Sequence, residues 1–198
     1  MLRYVPLAVI VLACIGLHEG LSAMEGWSRE WRKLAWTIAG GGKFWVVLLA
    51  EGEEIYPMQR VLMFWTHGFV HVSRAHLWVN LLFLVPLGAY AIRSVGPWRF
   101  LALYLAGMPL AALGYALLVD DPYATMLGAS GGIYVLGGAA LVWLWQDTRA
   151  IAAPLLWLAV MLATNALFWW LTAGKFAWEL HLAGVVVGLA MAPLLRRT

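Results

Sequence analysis

The sequence predicts an all-α polytopic membrane protein, a bundle of six transmembrane helices with a first loop lying at the membrane interface. Three observations carry that prediction. Of the 198 residues, 64% are hydrophobic and 12% are charged, about half the charged fraction of a soluble domain. The mean hydropathy is +0.81. Six apolar stretches, each near the roughly 20 residues a bilayer-spanning helix uses, are separated by short clusters of charges and turn residues. Such spans consume about 120 residues, so no large soluble domain remains. Any chemistry belongs to the membrane part or its loops.

In chain order the apolar stretches run from Tyr4 to Leu21, His76 to Ala91, Trp98 to Val119, Thr125 to Trp145, Ile151 to Ala173 and Ala177 to Leu195. Together they are expected to form one membrane domain over residues 1–198. A seventh stretch, Leu34 to Ala50, is interrupted by Gly40, Gly41, Gly42 and Lys43, and neither half is long enough to cross. It suits the interface, where Trp27, Trp31, Trp36 and Trp45 sit at headgroup depth among charges. Cys14 is the sole cysteine, which excludes an internal disulfide framework and a cysteine metal cluster. The net charge of +3 is scattered between apolar segments and forms no stripe for nucleic acid.

Orientation follows from Lys and Arg. With the N-terminus in the cytoplasm, that side receives Arg3, Arg93, Arg99, Arg149, Arg196 and Arg197 against Asp147, while the short outer loops carry Lys175. The long segment from Ser22 to Ala75 opposes this with six basic residues. They are offset by Glu25, Glu30, Glu51, Glu53 and Glu54, with Glu19 just before. A competing reading makes the N-terminus a cleaved signal peptide, since Arg3, the apolar run to Leu17, and Ser22 and Ala23 fit that pattern. Cleavage would leave five spans without moving the later loops across the membrane. A bacterial inner membrane with a cytoplasmic N-terminus is the expected location.

Polar groups at membrane depth are costly and mark function. Three fall together. The second, fourth and sixth spans all begin at the outer face, with Asn80, Ser130 and His181 four or five residues inside, about 6 to 8 Å deep. A serine and a histidine at one depth can form a nucleophile and base pair, the imidazole taking the hydroxyl proton as oxygen attacks a carbonyl. His76 and Asn80, one turn apart, face the same way and can donate to an oxyanion. Gly128, Gly131 and Gly132 flank Ser130, and Gly184 and Gly188 follow His181, a spacing that lets helices approach closely. Tyr134, one turn below Ser130, is placed to floor the imidazole. No carboxylate lies near His181, which favours a dyad over a triad.

Each element also has a plainer explanation. A serine between glycines in a membrane helix is more often a packing contact, and a lone intramembrane histidine or asparagine often bonds a neighbouring helix. His67, His71 and His76 offer a metal-binding alternative, because His67 and His71 stand four residues apart. No acidic residue stands among them, so no metal and no other cofactor is expected. His67 and His71 are expected instead to tie the first loop to the second span through hydrogen bonds.

Together, the segments His67-Gly-Phe-Val-His71-Val-Ser-Arg-Ala-His76-Leu-Trp-Val-Asn80, Gly128-Ala-Ser130-Gly-Gly-Ile-Tyr134 and His181-Leu-Ala-Gly184-Val-Val-Val-Gly188 resemble the three signature regions of rhomboid intramembrane serine proteases, in the same order and on the same helices. The resemblance implies a six-helix rhomboid-like bundle with a membrane-embedded first loop, similar to the compact bacterial form without an extra soluble domain or seventh helix. It implies Ser130 as nucleophile, His181 as base, His76 and Asn80 at the oxyanion, and Gly128 and Tyr134 as supports of the serine turn and the histidine. Leu34 to Ala50 would fall in the first loop, and Phe176 to Glu179 near the loop that caps the site. One departure stands out. Family members often carry a Trp-Arg pair shortly before the histidine motif, where this chain reads Leu62 and Met63; Arg60 or the earlier Trp31-Arg32 are the candidate replacements.

The resemblance therefore implies an intramembrane serine endopeptidase that cleaves membrane-anchored proteins near the outer face. Its partners would be a transmembrane protein substrate and the lipid bilayer, and not nucleic acid. The rivals are a catalytically silent rhomboid-like protein that binds transmembrane helices and a metal-handling or transport protein built on the histidine cluster.

Overall fold

A computed structural model describes residues 2–23, 57–119, 126–174 and 176–196. The segment Leu34 to Ala50, Trp31, Arg32 and Thr125 lie outside the described residues. Among the described residues all regular structure is helical. After a single 3-10 turn at Leu2–Tyr4 come α1 (Val5–Ala23), the short α2 (Gln59–Thr66), a 3-10 turn at His67–Phe69, α3 (Arg74–Val95), α4 (Pro97–Leu118), α5 (Ser130–Thr148), α6 (Ala152–Leu171) and α7 (Trp178–Leu195).

Local chemistry sets these ends. Ser73, extended, accepts a hydrogen bond from the His76 N–H at 3.1 Å and caps α3, filling one of the donors a helix start leaves open. Gly96 at φ 87° breaks α3 from α4, and Pro97 opens α4, where its missing N–H costs nothing. The fourth span differs most from the expected Thr125 start. Gly128 has φ 108°, outside the helical region, so α5 begins only at Ser130 and runs on to Thr148.

Among the described residues five helices, Leu2–Ala23, Arg74–Val95, Pro97–Leu118, Ala152–Leu171 and Trp178–Leu195, are long and apolar enough to cross a membrane. The sixth long helix, α5, carries Gly131, Gly132, Gly137 and Gly138 and ends on Gln146 and Asp147, which lowers its hydropathy. It lies at the centre instead, against α3, α4, α6 and α7, with Trp143 fully buried. Phe100, Leu103, Tyr104 and Met108 of α4 and Leu77 and Leu84 of α3 complete the core. Leu82, Leu117, Leu156, Trp170 and Val186 face outward, a belt suited to lipid, where helices satisfy their own backbone groups.

The tightest seam is α5 against α7. A Cβ added to Gly188 would strike the Val135 carbonyl oxygen, and one added to Gly184 would stand 2.9 Å from the Gly131 carbonyl oxygen. Only glycine permits this approach. At one end of the bundle Arg74 pairs with Glu19 at 2.9 Å, joining α3 to α1. At the other, Asp147 pairs with Arg196 and accepts from the Tyr90 hydroxyl at 3.1 Å, near Arg93 and Arg149.

Candidate active site

Ser130 is the first residue of α5. A helix start leaves its first backbone N–H groups without intrahelical acceptors and carries the positive end of the helix dipole. An anion forming at the Ser130 hydroxyl therefore meets a favourable field.

The turn that presents Ser130 is held from the loop before α3. The Gly128 N–H donates to the His67 carbonyl at 2.9 Å, and the Ala129 N–H donates to His71 Nε2 at 3.3 Å. His71 is in turn fixed by α1, since its carbonyl lies 3.1 Å from His18 Nδ1. The two histidines thus tie the loop to the start of α5, rather than to the second span as expected. Residues 70–73 are not helical, so the two rings do not share a helix face. Among the described residues no three His, Cys, Asp or Glu stand close enough to share a metal ion. Both histidines are buried. Burial pushes His67 down to about 4 and His71 to about 3, the latter helped by His76 and His18. Each stays neutral at physiological pH, which leaves His71 Nε2 free to accept the Ala129 N–H.

His76 and Asn80 occupy successive turns of α3. The Asn80 amide donates to the His76 carbonyl at 3.0 Å. Both side chains press on the serine turn, for a Cβ on Gly128 would stand 2.7 Å from His76 Cε1, 2.9 Å from its Nε2 and 3.3 Å from Asn80 Nδ2. Gly128 therefore serves twice, through its positive φ and through the room it leaves for two donors.

His181 lies on the first turn of α7 and is 3% exposed. Its ring stacks on Tyr134 at 4.1 Å between centroids with planes 9° apart. Phe176, in the connection before α7, meets it edge-on at 4.6 Å. Nδ1 of the ring lies 2.7 Å from Oδ1 of Asn165 on α6. Ser130 and His181 are not hydrogen-bonded to each other, but both line one cavity of about 400 Å³ together with His76, Asn80 and Tyr134. Catalytic hydrogen bonds commonly tighten only when substrate is bound.

The structure thus brings together all six residues singled out from the sequence. The remainder of the cavity wall comes from α3 through Val79 and Phe83 and from α6 through Trp157, Met161 and Phe168. Sequence reasoning missed α6 and Asn165. The signal was present, because Thr164 and Asn165 interrupt an otherwise apolar span, and Asn165 stands about 9 Å from the end of α6 by its rise. Reading depth only on spans that begin at this end of the bundle passes over a span that ends there. In the place of the expected Trp-Arg pair, Met63 is fully buried and Leu62 exposed.

Residues 58–198 match a family model described as the Rhomboid domain. The chain is 29% identical over 150 residues to the Rhomboid protease GlpG of Yersinia pestis (strain Pestoides F), covering 69% of this chain and 50% of that protein. It is 28% identical over 193 residues to the Rhomboid protease GlpG of Salmonella typhi, covering 93% of this chain and 60% of that protein. The chain therefore spans between half and three fifths of the length of these curated relatives.

Proposed function

The chain belongs to the rhomboid family, an integral membrane protein by its apolar helices, and from that premise we propose that it is an intramembrane serine endopeptidase working through Ser130 and His181. One observation supports this above the others. A serine at a helix start, a stacked and buried histidine and two hydrogen-bond donors line a single cavity.

In the proposed reaction the Ser130 hydroxyl oxygen attacks a peptide carbonyl while His181 Nε2 takes its proton. Negative charge on the carbonyl oxygen is met by His76, Asn80 and the open N–H groups at the start of α5, donors each worth roughly 10²–10³ in rate. His181 returns the proton to the leaving amine nitrogen, and water then releases the acyl group by the reverse proton path. Tyr134 keeps the imidazole plane in place, and Gly128 keeps the turn open.

The substrate would be a membrane-anchored protein whose helix frays at small or helix-breaking residues, because a carbonyl locked in a helix cannot reach Ser130. The site lies at the Glu19–Arg74 end of the bundle. The opposite end carries Arg3, Arg93, Arg149 and Arg196, and by the positive-inside rule this supports a site near the outer face with a cytoplasmic N-terminus. A bacterial inner membrane fits that arrangement.

Reaction of the detergent-solubilised protein with a fluorophosphonate probe tests the reading. Wild type should label, and Ser130→Ala and His181→Ala should reduce labelling to background. Labelling that persists in either folded variant overturns the dyad, and an unreactive, well-folded wild type favours the silent, helix-binding relative.

A further inference from the structure

The His181 ring makes one side-chain hydrogen bond among the described residues, and its partner is neither Ser130 nor an acid. Asn165, in the outer half of α6, brings Oδ1 to 2.7 Å from Nδ1. An imidazole carries its proton on one nitrogen or the other when neutral, and the partner of one nitrogen decides the state of the second. Oδ1 only accepts, so facing it Nδ1 must hold the proton. Nε2 is then unprotonated and turned to the cavity that Ser130 lines. The reverse amide orientation would put the ring proton on Nε2, where it blocks the base.

Asn165 has few other reasons to be where it is. It is partly buried on a helix of mean hydropathy 1.6, and an amide at this depth is expensive unless bonded. Its neighbour Thr164 satisfies itself on backbone, donating to the Met161 carbonyl at 3.2 Å and to that of Val160. Asn165 instead reaches across to the His181 ring on α7. The ring it reaches is already fixed in plane by Tyr134 and on its edge by Phe176. Stacking fixes the ring plane but allows a 180° flip about Cβ–Cγ that exchanges the nitrogen and carbon edges, and a bond at Nδ1 removes that freedom.

We propose that Asn165 is the positioning residue of His181, a neutral third member that fixes the ring tautomer and aims Nε2 at Ser130. This rests on the reading of Ser130 and His181 as nucleophile and base. During attack the hydroxyl proton passes to Nε2, the Nδ1–H stays on the ring, and its bond to Oδ1 strengthens as the ring becomes cationic. When Nε2 gives its proton to the leaving nitrogen, the ring returns to the starting tautomer. Asn165 neither gains nor loses a proton. A helix with few packing contacts of its own thereby becomes part of the catalytic arrangement.

The test compares wild type, Asn165→Leu and Asn165→Asp in cleavage of a membrane-anchored reporter, with thermal midpoints measured alongside. Leucine keeps the volume and removes the acceptor, so kcat should fall roughly 10- to 100-fold, part of the roughly 10²–10⁴ that a positioned base supplies, while KM stays within about twofold. Aspartate keeps an acceptor in place and should recover most of kcat. A purely structural role would move the midpoint and leave the rescue without effect. Nitrogen-15 NMR of histidine-labelled protein gives the second readout. Wild type should show His181 protonated on Nδ1, and Asn165→Leu should shift the proton towards Nε2. Equal kcat in Asn165→Leu and an active wild type, or an Nε2–H ring in wild type, overturns the inference and leaves the dyad untouched. An inactive wild type counts against the dyad, and the ring tautomer then still decides whether Asn165 orients His181.

Discussion

Helices α6 and α7 share a mean hydropathy of 1.6, yet α7 buries Leu180, His181, Ala183, Gly184, Gly188 and Ala192, whereas α6 buries Pro154 and Met161. Both touch the site. Helix α7 is pressed onto α5 by glycines that bring backbone against backbone, while α6 is attached to α5 through the Trp157 indole on the Gly137 carbonyl at 3.0 Å and Met161 against Gly137. The difference teaches that apolar length places a helix in a bilayer and small residues decide how firmly it packs there. His181 rides on the firm helix. Its hydrogen-bond partner Asn165 and much of the cavity wall ride on the loose one, where local opening costs least.

The largest expected effect breaks the firm seam. In Gly188→Leu the new side chain meets the Val135 carbonyl oxygen and lies 2.8 Å from the Ala139 nitrogen at its Cβ, backbone atoms that cannot swing aside. Overpacking of about 1–3 kcal/mol or more should lower the thermal midpoint by roughly 5–10 °C, and the parted helices should lose Ser130 labelling. Ala163→Leu adds similar bulk on the exposed side of α6 and should change neither by more than the error of measurement. Equal losses in both would mean that α5 and α7 are not the distinctive seam.

How much of this was legible beforehand depends on the kind of signal. The four-residue spacing of Gly184 and Gly188 made the close approach of α5 and α7 readable, since it needs only local sequence. The spans at α1, α3, α4, α6 and α7 were legible to within a few residues for the same reason. The start of α5 was misplaced because an apolar run says nothing of φ, and Gly128 ends the run in a conformation that no hydropathy reports. His67 and His71 were read onto their sequence neighbour, α3. Their true partners, Gly128 and Ala129, lie far along the chain. Asn165 bears no charge to mark it in an apolar span, yet an amide oxygen offers the same acceptor as a carboxylate without the cost of a buried charge.

A smaller effect separates the dry seam from the polar supports by pH. The α5–α7 contact has no titrating group at Gly184, Gly188 or Val135, whereas the serine turn is held by a neutral His71. With its folded value lowered to about 3 and His67 to about 4, against an ordinary value near 6.5, these groups stabilise the fold fully above about pH 6.5. That contribution is lost progressively as pH falls towards the folded values. The thermal midpoint should therefore drop between pH 7.5 and pH 4.5. In His71→Gln, whose amide oxygen can still accept the Ala129 N–H, the drop should be smaller. The ion pairs Glu19–Arg74 and Asp147–Arg196 respond to acid equally in both proteins and cancel from the difference. An identical drop would show that His71 does not carry the pH dependence.

The smallest effect concerns the tether of α6. Trp157→Phe removes the indole N–H and keeps most of the ring, so α6 should lose one hydrogen bond worth about 0.5–1.5 kcal/mol. The Gly137 carbonyl keeps its own helical donor and is not left unsatisfied, which holds the cost at the low end. The thermal midpoint should fall by only roughly 1–4 °C, and probe labelling should stay within about threefold of wild type. Hydrogen exchange gives the sharper readout, because it resolves the two helices. Amides of α6 should exchange faster while those of α7 keep their protection, since nothing in the glycine seam depends on the indole. If protection fell equally in α6 and α7, the two would open as one unit, and the contrast between a firm helix carrying His181 and a loose one carrying Asn165 would not hold.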